Sequence, residues 1–304
     1  MIRVSFAVLS LSFLAVPVSA KLSIVTTTED LAAIAAAIGG DAVSVQSIAR
    51  GYQDPHFVEA KPSHLLKLKR AGLFIQIGLE LEAAWAGALL QNARNPDLLP
   101  GNPGFLEVSQ ECEILDRPTG PVDRSKGDVH PLGNPHYWTD PENGRMIARS
   151  VARKLSELAP ADAGLFQKNL RAFEEELDRK SKEWVELAAP LRGLPVVTYH
   201  NSWVNFARRF GLEVIDFVEP RPGVPPSPAH VRSLIGKMKA RKVPIILIET
   251  YWDVKVPMRI AEETGAALAV LPASVGGRPH IHSYFDLFDH NLRELRKALG
   301  VSTK

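Results

Sequence analysis

Apolar residues recur along the first part of the chain in two patterns, short continuous runs and longer segments with helical spacing. The short runs predict strands and the spaced segments predict helices. Predicted strands lie at residues 22–27, 43–48 and 73–77, with a short one at 105–108, and predicted helices lie at residues 29–38, 62–70 and 80–92. Strands that alternate with helices form parallel sheets, so this part of the chain predicts one βα lobe.

The same alternation restarts in the last third of the chain. Predicted strands lie at residues 195–198, 213–217, 244–248 and 267–271, and predicted helices lie at residues 202–210, 228–240, 254–264 and 284–299. Between the two series, helical spacing covers residues 141–158 and 161–188, and the second stretch is long for a globular protein. The predicted fold class is therefore α/β, with two βα lobes and parallel sheets joined by a helical segment, and a ligand cleft between the lobes.

The first twenty residues predict a signal peptide. Arg3 gives a positive start, an apolar run follows at residues 4–16, and Val18-Ser19-Ala20 supplies the small residues of a cleavage site. The run is shorter than the roughly 20 residues that span a bilayer. No cysteine lies near the cleavage site to carry a lipid anchor. We therefore expect a mature chain from Lys21, exported to the periplasm without membrane insertion.

Composition narrows the function classes. The 304 residues suggest about two domains. The 36 Lys and Arg residues nearly balance the 34 Asp and Glu residues, so no broad basic field supports nucleic-acid binding. Cys112 is the one cysteine, which excludes an intrachain disulfide.

Three of the nine histidines fall in loops at the sheet edge where βα folds bind ligands. His56 follows the second predicted strand, His136 precedes a helix, and His200 follows the end of the strand at residues 195–198. Imidazole is a preferred ligand of zinc and related metals. No HExxH or CxxC cluster is present, and each histidine could instead cap a helix or bond a backbone carbonyl.

Local sequence also indicates rigid loops around these histidines. Pro55 and Pro135 each precede a histidine and fix the backbone there. The helix behind His136 starts either with a capping box of Thr139 and Glu142, or with Asp140 as the cap and Pro141 at the first helical position.

These loops carry motifs that resemble the zinc- and manganese-binding solute receptors of ABC importers (cluster A-I). The motifs follow in order over nearly the whole mature chain: Asp54-Pro55-His56 with Lys61-Pro62-Ser63, Asn134-Pro135-His136-Tyr137-Trp138-Thr139-Asp140-Pro141, Tyr199-His200 with Phe206-Ala207-Arg208-Arg209-Phe210-Gly211-Leu212, and Glu219-Pro220 with Pro226-Ser227-Pro228. The resemblance implies one long rigid helix between the lobes and a metal site in the cleft. We accordingly expect a signal peptide at 1–20, an N-terminal lobe at 21–158, a linking helix at 159–190 and a C-terminal lobe at 191–304.

The resemblance also implies a ligand set. His56 and His136 match the two N-lobe ligands, and His200 matches the first C-lobe ligand, where zinc-type members carry histidine. Three imidazoles suit Zn²⁺ better than Mn²⁺, which prefers oxygen ligands. The family's fourth ligand is an aspartate in a Leu-Asp-Pro-like stretch, whereas this chain has Leu271-Pro272. Its replacement is predicted to be Glu249, with water or a histidine at 280 or 282 as alternatives.

The predicted function is capture of Zn²⁺ and its delivery to the membrane permease by a monomeric receptor that is not an enzyme. A manganese or iron receptor of the same family, a zinc-dependent hydrolase and a metal-free receptor are the alternatives. Zinc receptors often carry a His-rich insertion where this chain has a loop at residues 116–135. His130 is the one histidine before His136 in that loop, and it could assist metal entry.

Overall fold

The computed structural model describes residues 20–120, 130–221 and 223–301. The predicted signal peptide lies outside these residues except for Ala20, as does part of the loop that precedes His130. No described helix combines the length and the apolar character that crossing a membrane requires.

The N-terminal lobe is built on a four-stranded parallel sheet in the order β2-β1-β3-β4. Its elements are β1 (Leu22–Thr26), α1 (Glu29–Gly39), β2 (Val43–Ser47), α2 (Pro62–Arg70), β3 (Leu73–Gln76), α3 (Ala86–Asn92) and β4 (Phe105–Glu107). Because the strands are parallel, the loops after β1, β2 and β3 emerge at one edge of the sheet.

The helix predicted at residues 80–92 is wrong at its start, since α3 begins only at Ala86. The chain turns first: Gly78, Leu79 and Glu80 all have positive φ. The carboxylate of Glu82 accepts hydrogen bonds from the backbone N–H groups of Ile77 at 2.9 Å and Gly78 at 3.0 Å. The Glu82 carboxylate thus satisfies the backbone N–H groups that follow β3, and the chain between them and Ala86 forms turns instead of helix.

The C-terminal lobe repeats this topology in a second parallel sheet, in the order β6-β5-β7-β8. Its elements are β5 (Pro195–Thr198), α6 (Val204–Phe210), β6 (Glu213–Phe217), α7 (Pro228–Arg241), β7 (Ile245–Glu249), α8 (Lys255–Thr264), β8 (Ala267–Leu271) and α9 (Tyr284–Ala298). The predicted α/β class with two parallel-sheet lobes is confirmed. The exact domain boundaries stay a prediction.

Two helices lie between the lobes, α4 (Pro141–Leu158) and α5 (Ala163–Ala188). At 1.5 Å per residue, the 26 residues of α5 extend about 39 Å. Asn169 near its start donates to the carbonyl of Ile38 in α1 at 2.9 Å, and Trp184 near its end donates to Asp289 in α9 at 2.7 Å. The long helix predicted from the sequence thus contacts both lobes.

Further hydrogen bonds join the lobes directly beneath the cleft. Arg209 donates to both carboxylate oxygens of Asp140, at 2.7 and 2.9 Å. The indole of Trp138 donates to the carbonyl of Ala273 at 2.9 Å. A buried core that includes residues of α1, α4, α5 and α9 runs through both lobes, so these contacts form part of one continuous interior.

Candidate metal centre

Three loops bring His56, His136 and His200 together between the two sheets. Their ring centroids are 5.1 to 5.4 Å apart, and one nitrogen of each ring lies within 4.8 Å of the other two. All three side chains are buried, with 8, 1 and 5% of the residue surface exposed. We call this group the histidine triad.

Each ring of the triad is held through Nδ1 by an oxygen acceptor. Asp54 Oδ1 lies 2.7 Å from Nδ1 of His56, Asn134 Oδ1 lies 3.0 Å from that of His136, and Glu219 Oε2 lies 2.7 Å from that of His200. A carboxylate or an amide oxygen can only accept in these contacts. Each Nδ1 therefore carries the proton, and each Nε2 keeps its lone pair.

The three Nε2 atoms are buried and lack any hydrogen-bond partner in the described structure. Buried polar atoms are normally satisfied, so three such atoms at one point need a physical explanation. A cation at the centre of the triad would satisfy all three at once. The donor set fits a borderline divalent metal such as zinc.

The loops that carry His56 and His136 share one local sequence pattern, an acceptor residue followed by proline and histidine. Asp54 Oδ1 accepts from both the backbone N–H and the ring of His56, at 3.0 and 2.7 Å. Asn134 Oδ1 does the same for His136, at 2.9 and 3.0 Å. The two bonds in each loop fix the backbone and the ring together, which preorganises the ligand.

Neighbouring segments hold these loops in turn. Trp85 donates from its indole to the carbonyl of Pro55 at 2.9 Å, and Asn134 Nδ2 donates to the carbonyl of Asn201 at 2.7 Å. Behind His136, Asp140 caps α4 by accepting from the backbone N–H of Glu142 at 2.9 Å. Of the two helix starts that the sequence allowed, the structure has the Asp140 cap.

Burial and positive neighbours both act on the charge of this cluster. The pKa of the His136 ring is far below its usual value because of burial and the nearby rings of His56, His200 and His130. Burial alone would raise the pKa of Asp54, but the hydrogen bonds and the electrostatic attraction from the His56 ring outweigh burial and lower it. Neutral imidazoles beside ionised carboxylates are the state that binds a metal cation.

A comparison with known proteins gives the family. The family model described as zinc-uptake complex component A, periplasmic (ZnuA), matches residues 24–298. The chain belongs to this family of periplasmic metal-binding receptors of ABC importers. The resemblance expected from the loop motifs is confirmed.

Related proteins and a solved structure agree with this assignment. The metal ABC transporter substrate-binding lipoprotein ScbA of Streptococcus cristatus is 27% identical over 290 residues, which cover 93% of this chain and 90% of ScbA. The manganese ABC transporter substrate-binding lipoprotein PsaA of Streptococcus mitis is 25% identical over 288 residues, covering 92% of this chain and 90% of PsaA. A crystal structure of ZnuA is 26% identical, with a TM-score of 0.75 over 92% of this chain and 99% of that chain.

A fourth histidine borders the triad. The ring centroid of His130 lies 5.4 Å from that of His56 and 6.3 Å from that of His136, and its Nε2 is also buried, with no hydrogen-bond partner in the part of the chain that the structure describes. Burial lowers the pKa of His130 to about 3, assisted by the charges of His56 and His200. The sequence pointed to His130 only as an aid to metal entry.

Glu249 lies at the end of β7 and is fully buried, but it is not one of the clustered groups. One carboxyl oxygen accepts from the hydroxyl of Ser202, and the other, Oε2, has no hydrogen-bond partner among the described residues. Burial raises the pKa of Glu249 far above its usual value, and the charges of Asp54 and Glu219 raise it further. Its role as a ligand stays a prediction.

The other candidate metal ligands lie away from the triad or are not in a form that binds metal. His280 contacts His290 rather than the triad. His282 donates from its backbone to Asp286 at 3.1 Å. Burial raises the pKa of Cys112 to about 12, which keeps its thiol protonated.

Aromatic rings flank the triad on two sides. The ring centroid of Trp138 lies 5.3 Å from that of His136, and the ring of Trp252 lies 6.4 Å from that of His200. Trp252 also stacks on Tyr199 at 5.0 Å. These rings place apolar surface beside the Nε2 atoms of the triad, which keeps the local dielectric low.

Sequence reasoning did not assign the three acceptors that orient the rings. A signal for two of them was present, because Asp54 and Asn134 occupy the same position in the two acceptor-Pro-His motifs. Glu219 belonged to the Glu219-Pro220 motif, but no local pattern linked it to His200. It reaches His200 from 19 positions along the chain, at the end of the neighbouring strand β6.

Proposed function

We propose that this chain captures Zn²⁺ in the cleft with the Nε2 atoms of His56, His136 and His200 and delivers it to the permease of an ABC importer. The observation that carries the proposal is the set of three buried, partnerless Nε2 atoms whose Nδ1–H groups are already engaged. The family supports the receptor role.

Zinc is favoured over manganese by the chemistry of the donors. Three neutral imidazoles suit Zn²⁺, whereas Mn²⁺ is better matched by carboxylate, carbonyl and water oxygens. The family description names zinc, while the relative PsaA is named for manganese. The names of the relatives therefore do not identify the metal. The three converging atoms of the site are all nitrogens, which favours zinc.

We propose that His130 supplies the fourth ligand. Its Nε2 is buried and lacks a partner, as the triad nitrogens do, and its ring borders those of His56 and His136. Zinc sites that hold their metal firmly are commonly four-coordinate. His130 follows the long loop, so a fourth ligand from this segment would join the metal after the three preformed ones.

The preformed triad suits capture of the ion in the periplasm and its later transfer to the permease. The triad is preorganised by Asp54, Asn134 and Glu219, so little entropy is lost when the ion enters. A cleavable signal at residues 1–20 would place the mature chain in the periplasm, where we expect it to act as a monomer. The permease would then take the ion from the docked receptor.

Calorimetry on the metal-free mature chain, purified without a histidine tag, tests the proposal. We expect one Zn²⁺ per chain, and much weaker binding of Mn²⁺. His56→Ala, His136→Ala and His200→Ala should each weaken Zn²⁺ binding by at least about 100-fold, since loss of mere supporting partners already costs 10- to 100-fold.

His230→Gln is the matched control, because the His230 ring bonds the carbonyl of Phe217 at 3.0 Å and is outside the triad. Equal losses in the control and the triad variants would overturn the ligand assignment. Tighter binding of Mn²⁺ than of Zn²⁺ would instead favour a manganese receptor. Hydrolysis of ester substrates by the zinc-loaded chain would favour the hydrolase alternative.

A further inference from the structure

A second pair of histidines meets outside the triad, on the C-terminal lobe. Nε2 of His280 lies 3.0 Å from Nδ1 of His290, and their ring centroids are 4.8 Å apart with planes at 62°. His280 lies in the loop between β8 and α9, and His290 lies within α9. His280 is exposed and His290 is partly buried, so water reaches the pair.

The loop that carries His280 is held in a defined shape. The backbone N–H of Gly276 donates to the carbonyl of Ile281 at 3.0 Å, and that of Ile281 donates to the carbonyl of Arg278 at 3.1 Å. Ile281 itself is buried. Ser283 then caps α9 through a capping box with Asp286. The backbone around both histidines is thus held in place by the loop and the helix.

The distance between the two nitrogens is close to that of two ligands on one metal ion. Two adjacent nitrogens bonded at about 2.0 Å in a square-planar or tetragonal site are about 2.8–2.9 Å apart. The pair, at 3.0 Å, needs only a few tenths of an ångström of adjustment. An ion would replace the single shared proton of the present contact.

We propose that His280 and His290 form a second, solvent-facing site for a divalent late transition metal ion such as Cu²⁺ or Ni²⁺. Two imidazoles with water in the other positions follow the preference of these metals for nitrogen, with Cu²⁺ the strongest binder. The site is independent of the histidine triad, and it holds its ion by two protein ligands instead of three or four.

The surrounding charges determine how tightly the His280–His290 pair binds a metal ion. Burial and the charge of His280 lower the pKa of His290, which keeps this ring neutral and able to bind metal at pH 7. Glu294, one helical turn after His290, attracts a cation, whereas Arg278 and Arg293 oppose one. The opposing charges and the solvent exposure make this site weaker than the triad.

Copper titration of the full mature chain tests the site, with the triad removed by His56→Ala, His136→Ala and His200→Ala. Electron paramagnetic resonance should show one bound Cu²⁺ with nitrogen ligands. Adding His290→Gln to this background should weaken the binding at least about tenfold, because loss of a supporting partner alone costs that much. His282→Gln, in the same loop, is the matched control and should leave the affinity unchanged.

A second measurement uses the zinc-loaded natural chain, in case the triad variants fold poorly. Substoichiometric Cu²⁺ should broaden the imidazole NMR signals of His280 and His290 before those of His230 and His282. Equal Cu²⁺ affinity with and without His290→Gln, or equal broadening of all exposed histidine signals, would overturn the proposal.

Discussion

Glu219 accepts a hydrogen bond from Nδ1 of His200 at 2.7 Å, and both side chains are buried where the ends of β5 and β6 meet. The carboxylate fixes the proton on Nδ1 of His200. It also makes Nε2 more basic, and hence a stronger ligand for a metal ion. Its second oxygen accepts from the backbone N–H of Gly223 at 2.7 Å, so Glu219 is itself held in place.

Glu219→Ala should therefore weaken Zn²⁺ binding by roughly 10- to 100-fold without removing any ligand. Glu219→Gln should lose less, since an amide oxygen still accepts the hydrogen bond. Calorimetric titration of the metal-free variants measures both. The control is Glu213→Ala at the start of β6, the strand that leads to Glu219; its carboxylate forms an exposed pair with Arg241 at 2.7 Å. If Glu213→Ala costs as much affinity as Glu219→Ala, the orienting role of Glu219 is refuted.

Two variants decide whether His130 or Glu249 is the fourth zinc ligand. Burial raises the pKa of Glu249, which disfavours the carboxylate form that binds a metal, and Glu249→Gln keeps the size and shape of the side chain while removing that form. We expect this variant to bind Zn²⁺ as the natural chain does. His130→Gln should bind it at least about tenfold more weakly. The opposite ranking in the same titrations would make Glu249 the ligand, as the sequence first suggested.

Stability should fall with rising pH because of Asp30. Burial raises the pKa of Asp30 from 3.8 to about 7, although hydrogen bonds from Ser274 and Val275 partly oppose the shift. Between these two pH values the folded chain holds a proton that the unfolded chain has lost, so the free energy of unfolding decreases as pH rises. A shift of about three pKa units corresponds to about 4 kcal/mol.

Urea unfolding of the natural chain and of Asp30→Asn at pH 5 and pH 7.5 measures this effect. The natural chain should lose stability relative to the variant over that interval. Glu82, whose pKa burial also raises to about 7, is present in both chains, so its contribution cancels in the difference. A stability difference that is the same at both pH values would contradict the role of Asp30.

Close packing of α4 against α9 depends on Gly144. A Cβ atom at this position would lie 2.3 Å from the ring of Tyr284, which is itself buried. Gly144→Ala should therefore destabilise the fold by about 1–3 kcal/mol. Gly236→Ala within α7 has open space around the new methyl group, and it should be neutral or stabilise by up to about 1 kcal/mol. Thermal unfolding that shifts equally in both variants would contradict this packing argument.

The sequence predicted most of the fold because its signals are local. Apolar runs placed the strands, and helical spacing placed α5 close to its observed bounds, Ala163–Ala188. The start of α3 was missed because the turn before it depends on Glu82, which bonds the end of β3 through backbone groups. Helical spacing alone does not detect such a competing side-chain contact.

The candidate site was predicted in part for the same reason. His56, His136 and His200 lie in loops that follow predicted strands or precede predicted helices, so their loop positions were readable from the sequence. The contact between His200 and Glu219 depends on the register of β5 and β6, which includes an irregularity between Val196 and Val197. The approach of His130 to His56 joins segments 74 positions apart. Neither relationship leaves a local pattern in the chain.

X-ray absorption at the zinc edge tests the central claim most directly. The sample is the mature chain without a tag, loaded with one equivalent of Zn²⁺. Three or four imidazole nitrogens at about 2.0–2.1 Å are predicted, and His136→Ala should lower the imidazole count by one. Fewer than three imidazoles in the natural chain, or a chain that retains no stoichiometric zinc, would contradict capture by the histidine triad.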